Sequence, residues 1–512
     1  MRQDIFVLLP AAVPAAAGVF TLLGGRWIRC RRMKLWLVFA VLLAAMALTA
    51  AAALRPDGTF TIWRLTEHIV LEFKTDGVGR IFACLTAAVF LASGVYSFEY
   101  LKQEENENRF LGFYLLLLGV LLALDFAASL PAFYVCFELM TLASFPLVLH
   151  EMTREAVFAG LKYLFYSVAG AFAALFGILF LAHLWGDLSF RPGGIAGTAV
   201  LGGERNLFLA AVFLLILGFG TKAGMFPMHG WLPTAHPAAP APASAVLSGI
   251  ITKSGVLALI RVIYFVAGPA SISGTWVQGA WIVLSLATVF MGSMLAYGER
   301  VMKKRLAYST VSQVAYILFG LSLLHPVAFA GAMAQVVFHA LAKTGLFLAA
   351  GAVIFKTGKR QAADYAGLGR RLPVTFACFG AGALTLVGIP PAGGFLSKWY
   401  LAQGALAAPV GVASVLGPVI LLVSALLTAG YLFPPVMRGF LPGNDAAGRA
   451  DGEENGAQAA GGDGRRGGEP LLMTVPMVIL FLLALFLGLF PGPLLEAVKS
   501  AAAGLFEGGV GI

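Results

Sequence analysis

The chain has 512 residues, 59% of them hydrophobic and only 12% charged, with a mean hydropathy of +0.87 and a formal net charge of +10. A soluble domain carries about twice that charged fraction, so this composition excludes a soluble globular protein. The basic excess needs no nucleic acid to explain it, because it gathers in short loops between apolar segments, as expected of a topology signal.

Apolar runs long enough to cross a bilayer, about 20 residues each, recur from end to end. The first spans are expected near 4–23, 35–53, 77–96, 110–127, 129–150, 156–184 and 205–226. The rest are expected near 238–266, 275–297, 305–324, 327–355, 372–405, 411–437 and 470–490. The fold class is therefore an all-α polytopic membrane protein of about 14 transmembrane helices. The opening run holds Pro10 and Pro14 and is read as a first span rather than a cleaved signal, since spans simply continue after it.

Loops after the odd-numbered spans collect most of the Lys and Arg, among them Arg26, Arg29, Arg31, Arg32, Lys34, Lys102, Arg109, Arg300, Lys304, Arg360, Arg449, Arg465 and Arg466. The opposite side holds few, such as Arg2, Arg55, Arg64, Lys74 and Arg80. That asymmetry puts the basic loops in the cytoplasm and both termini on the outer face of a prokaryotic plasma membrane. Residues 441–469 are Gly/Ala-rich and polar and read as a flexible cytoplasmic linker. Cys30, Cys84, Cys136 and Cys378 stand singly, without the clustered thiolates of zinc or iron–sulfur sites, and no nucleotide motif is present. No cofactor or metal is expected.

The informative residues lie inside the spans. The stretch 218–245, "GFGTKAGMFPMHGWLPTAHPAAPAPASA", places Lys222 beside Pro227 and a run of further prolines at the end of an apolar segment. A second interrupted stretch, "LVGIPPAGGFLSKWYLAQGAL", carries Pro390 shortly before Lys398. Two broken hydrophobic segments in corresponding halves of a chain point to an ion site, because irregular backbone at that depth must line protein or a hydrated cavity. Lys162, Lys253 and Lys343 also fall within spans, and Glu138 sits mid-span among apolar neighbours. Intramembrane ionisable groups are rare and mark ion pathways; the plainer alternative for each is a satisfied ion pair or a snorkelling side chain. A Glu138–lysine pair that opens and closes would let the lysine release and rebind protons. Arg261 is expected to snorkel, Asp125 to face water, and His150 and His183 to be interfacial. His229 and His236 are expected near bulk water, either admitting protons or fixing the loop.

The motifs "FELMTLASFPLVL", "AGLKYLFYS", the lysine–HxWLPxAHPxAP run, "KKRLAYSTVSQVAYILFG", "FHALAKTGLFLAAGAV" and "GIPPAGGFLSKWYL" cover roughly residues 76–405. In this order the chain resembles the antiporter-like subunits shared by respiratory complex I, Mrp-type cation/proton antiporters and membrane-bound hydrogenases. It is most like the Mrp D-type or the complex I N-type subunits.

The resemblance implies inverted repeats of helices four to eight (110–266) and nine to thirteen (275–437). These follow three N-terminal helices (1–109) and precede a linker (438–469) and a last helix with its tail (470–512). It implies that helices seven and twelve are broken. It also implies proton translocation through Glu138, Lys222, Lys253, Lys343, Lys398 and His339, supported by Lys162, Lys303, His229, His236, Pro227 and Pro390. Val301 stands where relatives often carry an aspartate. The implied partners are other membrane subunits and the lipid bilayer. The implied cargo is protons, with sodium exchange left open. Any NADH, quinone or hydrogenase chemistry would belong to partner chains. Two other readings stand beside this one: a stand-alone transporter of another solute, and an integral-membrane enzyme acting on a lipid or quinone.

Overall fold

The computed structural model describes residues 4–25, 30–64, 70–195, 202–441 and 468–506. Arg2, Arg26, Arg29, His68, Arg449, Arg465, Arg466 and most of the 441–469 linker lie outside the described residues. Among the described residues, 11 helices are long and apolar enough to cross a membrane, with shorter apolar helices at Leu9–Gly24 and Pro373–Val387.

In chain order the helices begin with α1 Leu9–Gly24, α2 Arg31–Leu54, α3 Gly77–Tyr100, α4 Glu107–Asp125, α5 Leu130–Val148, α6 Arg154–Trp185 and α7 Arg205–Ala223. The short α8 Leu232–Ala238 follows, then α9 Ala241–Ala267, α10 Trp276–Gly298, α11 Met302–Ser322 and α12 Pro326–Thr357. The series ends with α13 Pro373–Val387, α14 Gly394–Ala407, α15 Ala413–Phe440, α16 Leu471–Leu489 and α17 Gly492–Ala502. One element was not expected. A hairpin, β1 Thr59–Arg64 and β2 Val70–Lys74, occupies the loop after α2, with a register shift between Thr61 and Trp63. It docks on the α4–α5 turn, where the Lys74 N–H donates to the Phe126 carbonyl and the Ala128 N–H to that of Glu72.

Both expected breaks are present, and glycine makes each of them. Helix α7 stops at Gly224 (φ +80°) and α13 at Gly388 (φ +86°), left-handed positions that cost glycine little and other residues more. Prolines at 227, 233, 237, 240 and 242, without N–H donors, then keep the chain in short pieces until α9.

Close approach of small residues sets the packing, as usual where lipid removes a hydrophobic drive between helices. A Cβ on Gly170 of α6 would lie 2.7 Å from the Gly218 carbonyl of α7. A Cβ on Gly255 of α9 would lie 2.6 Å from the Ala223 N, so the helix carrying Lys253 rides against the end of the helix carrying Lys222. Helices α9 and α12 form the interior, buried along almost their whole length, and α12 contacts α3, α11, α13, α14 and α16. Within α9, π-helical turns at Leu247–Ile251 and Arg261–Ala267 flank Lys253; such turns recur at functional sites.

Candidate functional site

Lys222 is 2% exposed, at the last turn of α7. Its ammonium donates to Thr141 Oγ1, Tyr163 OH and Ser167 Oγ, each at 2.9 Å, and sits 4.4 Å from the Tyr163 ring centroid. All three N–H donors are thus met by neutral hydroxyls from α5 and α6. Tyr163 OH is tied in turn to Ser144 at 2.6 Å. Glu138 is half-buried on α5, with one carboxylate oxygen buried and unmatched. Among the described residues it makes no ion pair within 4.0 Å, although its charge acts on Lys222. The expected Glu–Lys pair is therefore open here, and hydroxyls hold the lysine instead.

At the second break, α13 ends with free carbonyls, and Lys398 of α14 turns back onto them. Its ammonium donates to Leu386 O, and to Val387 O at 2.7 Å, with the Tyr316 ring centroid at 5.2 Å. The last carbonyls of a helix lack intrahelical partners and carry the negative end of its dipole, so the break itself makes the cation site.

Between the two breaks lies a group of wholly buried residues. Lys253 Nζ donates to the Ser248 carbonyl at 2.5 Å, and Lys343 Nζ to the Leu306 carbonyl at 3.0 Å. The charges of Lys253 and Lys343 act on each other and on His339, and those of Lys303, Lys343 and Lys253 act on His236. Neither ring nitrogen of His236 or His339 meets a protein partner. The Ser244 amide faces His236 but is spent on the Pro240 carbonyl. Buried polar atoms are almost always satisfied, so these two rings hold hydrogen-bonding capacity that the protein itself does not use. Toward Lys398 a chain of amides continues: Gln335 Nε2 donates to Gln313 Oε1 at 2.9 Å, and Ser397 Oγ to Gln335 Oε1 at 2.5 Å.

Other expectations need correction. Asp125 does not face water; it is 2% exposed and accepts from Thr86 Oγ1 at 2.9 Å, because the hairpin covers that end of α4. Arg261 does not snorkel. It is fully buried, paired with Asp76 at 2.5 and 3.0 Å and packed against the Phe190 and Phe265 rings. His236 is buried rather than near bulk water, because α8 folds inward against α6 and α11, and its ring stacks on Phe347. His229 remains half-exposed, against Phe226. His150, expected to be interfacial, is 3% exposed against Phe110 and is held down to about 4 by burial and by Arg109; His183 is exposed. Lys162 Nζ reaches Thr234 Oγ1 of α8 at 3.0 Å, and Pro227 and Pro390 lie in the two breaks. Among the described residues, no group of His, Cys, Asp and Glu could hold a metal ion.

Sequence reasoning missed Thr141, Tyr163, Ser167, Gln313 and Gln335. The two glutamines inside apolar helices were the available signal. The hydroxyls gave none, since Ser and Thr in apolar helices commonly satisfy themselves on a carbonyl one turn back.

Residues 127–427 match the model of the NADH:quinone oxidoreductase/Mrp antiporter transmembrane family. The chain belongs to this family. It is 33% identical over 466 residues to the NADH-quinone oxidoreductase subunit N of Desulforudis audaxviator, covering 88% of this chain and 90% of that one. It is 29% identical to the D-type subunit of the Na(+)/H(+) antiporter of Bacillus subtilis, over 78% and 81% of the two chains. Its fold superposes on a chain of the Mrp complex from Dietzia sp. DQ12-45-1b with a TM-score of 0.82, at 24% identity and covering 98% and 97%. It is an antiporter-like, multi-pass membrane subunit of the complex I, Mrp and hydrogenase type, and the proteins it resembles are subunits of multi-subunit assemblies.

Proposed function

We propose that this subunit translocates protons along a mid-membrane path. The path runs from Glu138 and Lys222, through Lys253, His339 and Lys343, to Lys398. The observation that carries the reading is the way the two broken helices are used: each places one lysine whose ammonium is satisfied only by uncharged oxygens. An ammonium buried in hydrocarbon costs at least about 2.5–3.5 kcal/mol on insertion scales. Hydroxyl and carbonyl oxygens offset that cost while leaving the lysine free to give up its proton, which a tight carboxylate partner would oppose.

Lys253 and Lys343 act on each other electrostatically, so a proton arriving at one favours release from the other. This converts occupancy at one end of the path into release further along. The His339 ring lies between them in charge terms and shares a face with Lys343 at i, i+4.

The domain division follows the same reading: two repeats at 110–266 and 275–437, each contributing one broken helix. The chain sits in a prokaryotic plasma membrane with its basic loops in the cytoplasm and both termini outside. It works beside other membrane subunits, with redox chemistry or cation exchange supplied by the assembly. The test is proton translocation by the intact assembly in vesicles. Alanine at Lys222 or Lys398 abolishes pumping while the subunit still inserts and assembles, and unchanged pumping in both variants refutes the path.

A further inference from the structure

A cleft opens at the basic end of the bundle, where the loops after α3, α5, α10 and α12 converge. Met302 N donates to the Arg360 carbonyl there and Ala362 N to that of Arg300, which holds two of these loops together. The cleft encloses about 40 Å³ and is lined by Tyr100, Glu151, Pro237, Val301, Lys303 and Arg360 among others. A water needs roughly 10–15 Å³ of such volume and a few polar partners, so the cleft has room for water. Glu151 and Arg360 are exposed at its rim, whereas Lys303 is only 6% exposed at its floor.

Glu104, on the loop after α3, joins the group. The charges of Glu151, Lys303 and Arg360 all act on its carboxyl, and it acts on the Tyr100 ring. Burial and Glu151 raise that carboxyl to about 7, against the opposing pull of Lys303 and Arg360.

The floor of the cleft leads inward. Lys303 Nζ donates one bond to the Ala239 carbonyl at 2.5 Å. Ala239 lies three residues from His236, the fully buried ring with neither nitrogen matched by protein, on which the charges of Lys303, Lys343 and Lys253 act. At the α7 break His229 is half-exposed, but Lys162 is engaged with Thr234 Oγ1 at 3.0 Å.

We propose that this cleft is the port through which protons reach the buried lysines: Glu151 at the rim and neighbouring Glu104 gather them, Lys303 takes them from the cleft, and His236 passes them to Lys253 and Lys343. The proposal rests on the proton-path reading above. It assigns to two loop carboxylates a part that no residue of the path itself plays.

The test uses the intact assembly in vesicles and compares E104Q, E151Q, the double variant and K343A, with translocation measured from about pH 5.5 to 8.5. Both glutamates are on loops and outside the core, so folding is preserved; E151D is the conservative control. The expected result is at least a tenfold loss of translocation in the double variant and near-normal rates in E151D. In E104Q, the pH dependence centred near 7 should flatten, a change that a purely structural role would not produce. Wild-type rates and pH profile in the double variant, with K343A inactive, overturn the port and leave the path intact. Normal pumping by K343A overturns the path and the port together.

Discussion

Gly388→Ala probes the second cation site without touching a charged residue. Gly388 ends α13 at φ +86°, a conformation that costs a residue with a Cβ roughly 1–2 kcal/mol. The new methyl would lie 2.9 Å from Lys398 Cδ and 3.4 Å from its Nζ, so the side chain must shift, which disturbs its bonds to the Leu386 and Val387 carbonyls. A hydrogen bond to a charged group is worth about 1.5–3 kcal/mol. Losing one of the two therefore changes the occupancy of the site by a factor of roughly 10 to 150, at a decade per 1.4 kcal/mol. Translocation in vesicles should fall at least tenfold, while the subunit still assembles and its thermal midpoint drops by only a few degrees. Gly380→Ala is the matched control: it lies within the same helix, and the nearest atom to its Cβ would be at 3.6 Å. It should assemble and pump normally. Wild-type pumping by Gly388→Ala would show that the carbonyl cradle at the break does not matter to transport.

Glu138→Gln should remove most coupled transport while leaving assembly unchanged, because it takes away a carboxylate whose charge acts on Lys222; vesicle pumping near the wild-type rate would exclude the pairing. Asp76→Ala should lower the thermal stability of the purified subunit sharply, since orphaning a buried charge costs about 3–5 kcal/mol. Arg261 here is fully buried with Asp76 as its ion-pair partner. Asp76→Glu should recover most of the loss, and an unchanged melting profile in Asp76→Ala would make the pair energetically idle. The purified chain should show no haem or flavin absorption, and bands that track the protein through purification would contradict that expectation.

The broken helices were legible because their makers are glycine and proline, residues with a backbone meaning that the sequence states outright. Lys222, Lys253, Lys343 and Lys398 were legible because a charge inside an apolar run has so few alternatives. What holds those lysines was not. Thr141, Tyr163 and Ser167 come from two helices far away in sequence, and only the close α6–α7 packing through Gly170 and Gly218 brings the last two to Lys222. Asp125 and Arg261 were misread for one reason. The ends of a span look solvated until it is known what folds over them, and here the hairpin and Asp76 do so. His236 is expected near water because it flanks the cytoplasmic end of the seventh span, whereas α8 packs inward and buries it.

The central claim is that Lys222 must change its protonation state during each cycle, and Lys222→Arg tests it most directly. Arginine keeps the positive charge and can donate to Thr141, Tyr163 and Ser167, but it does not deprotonate in proteins. Proton translocation by the intact assembly carrying Lys222→Arg should be abolished, to the level of Lys222→Ala, with assembly unaffected. Pumping at the wild-type rate by Lys222→Arg would contradict the account.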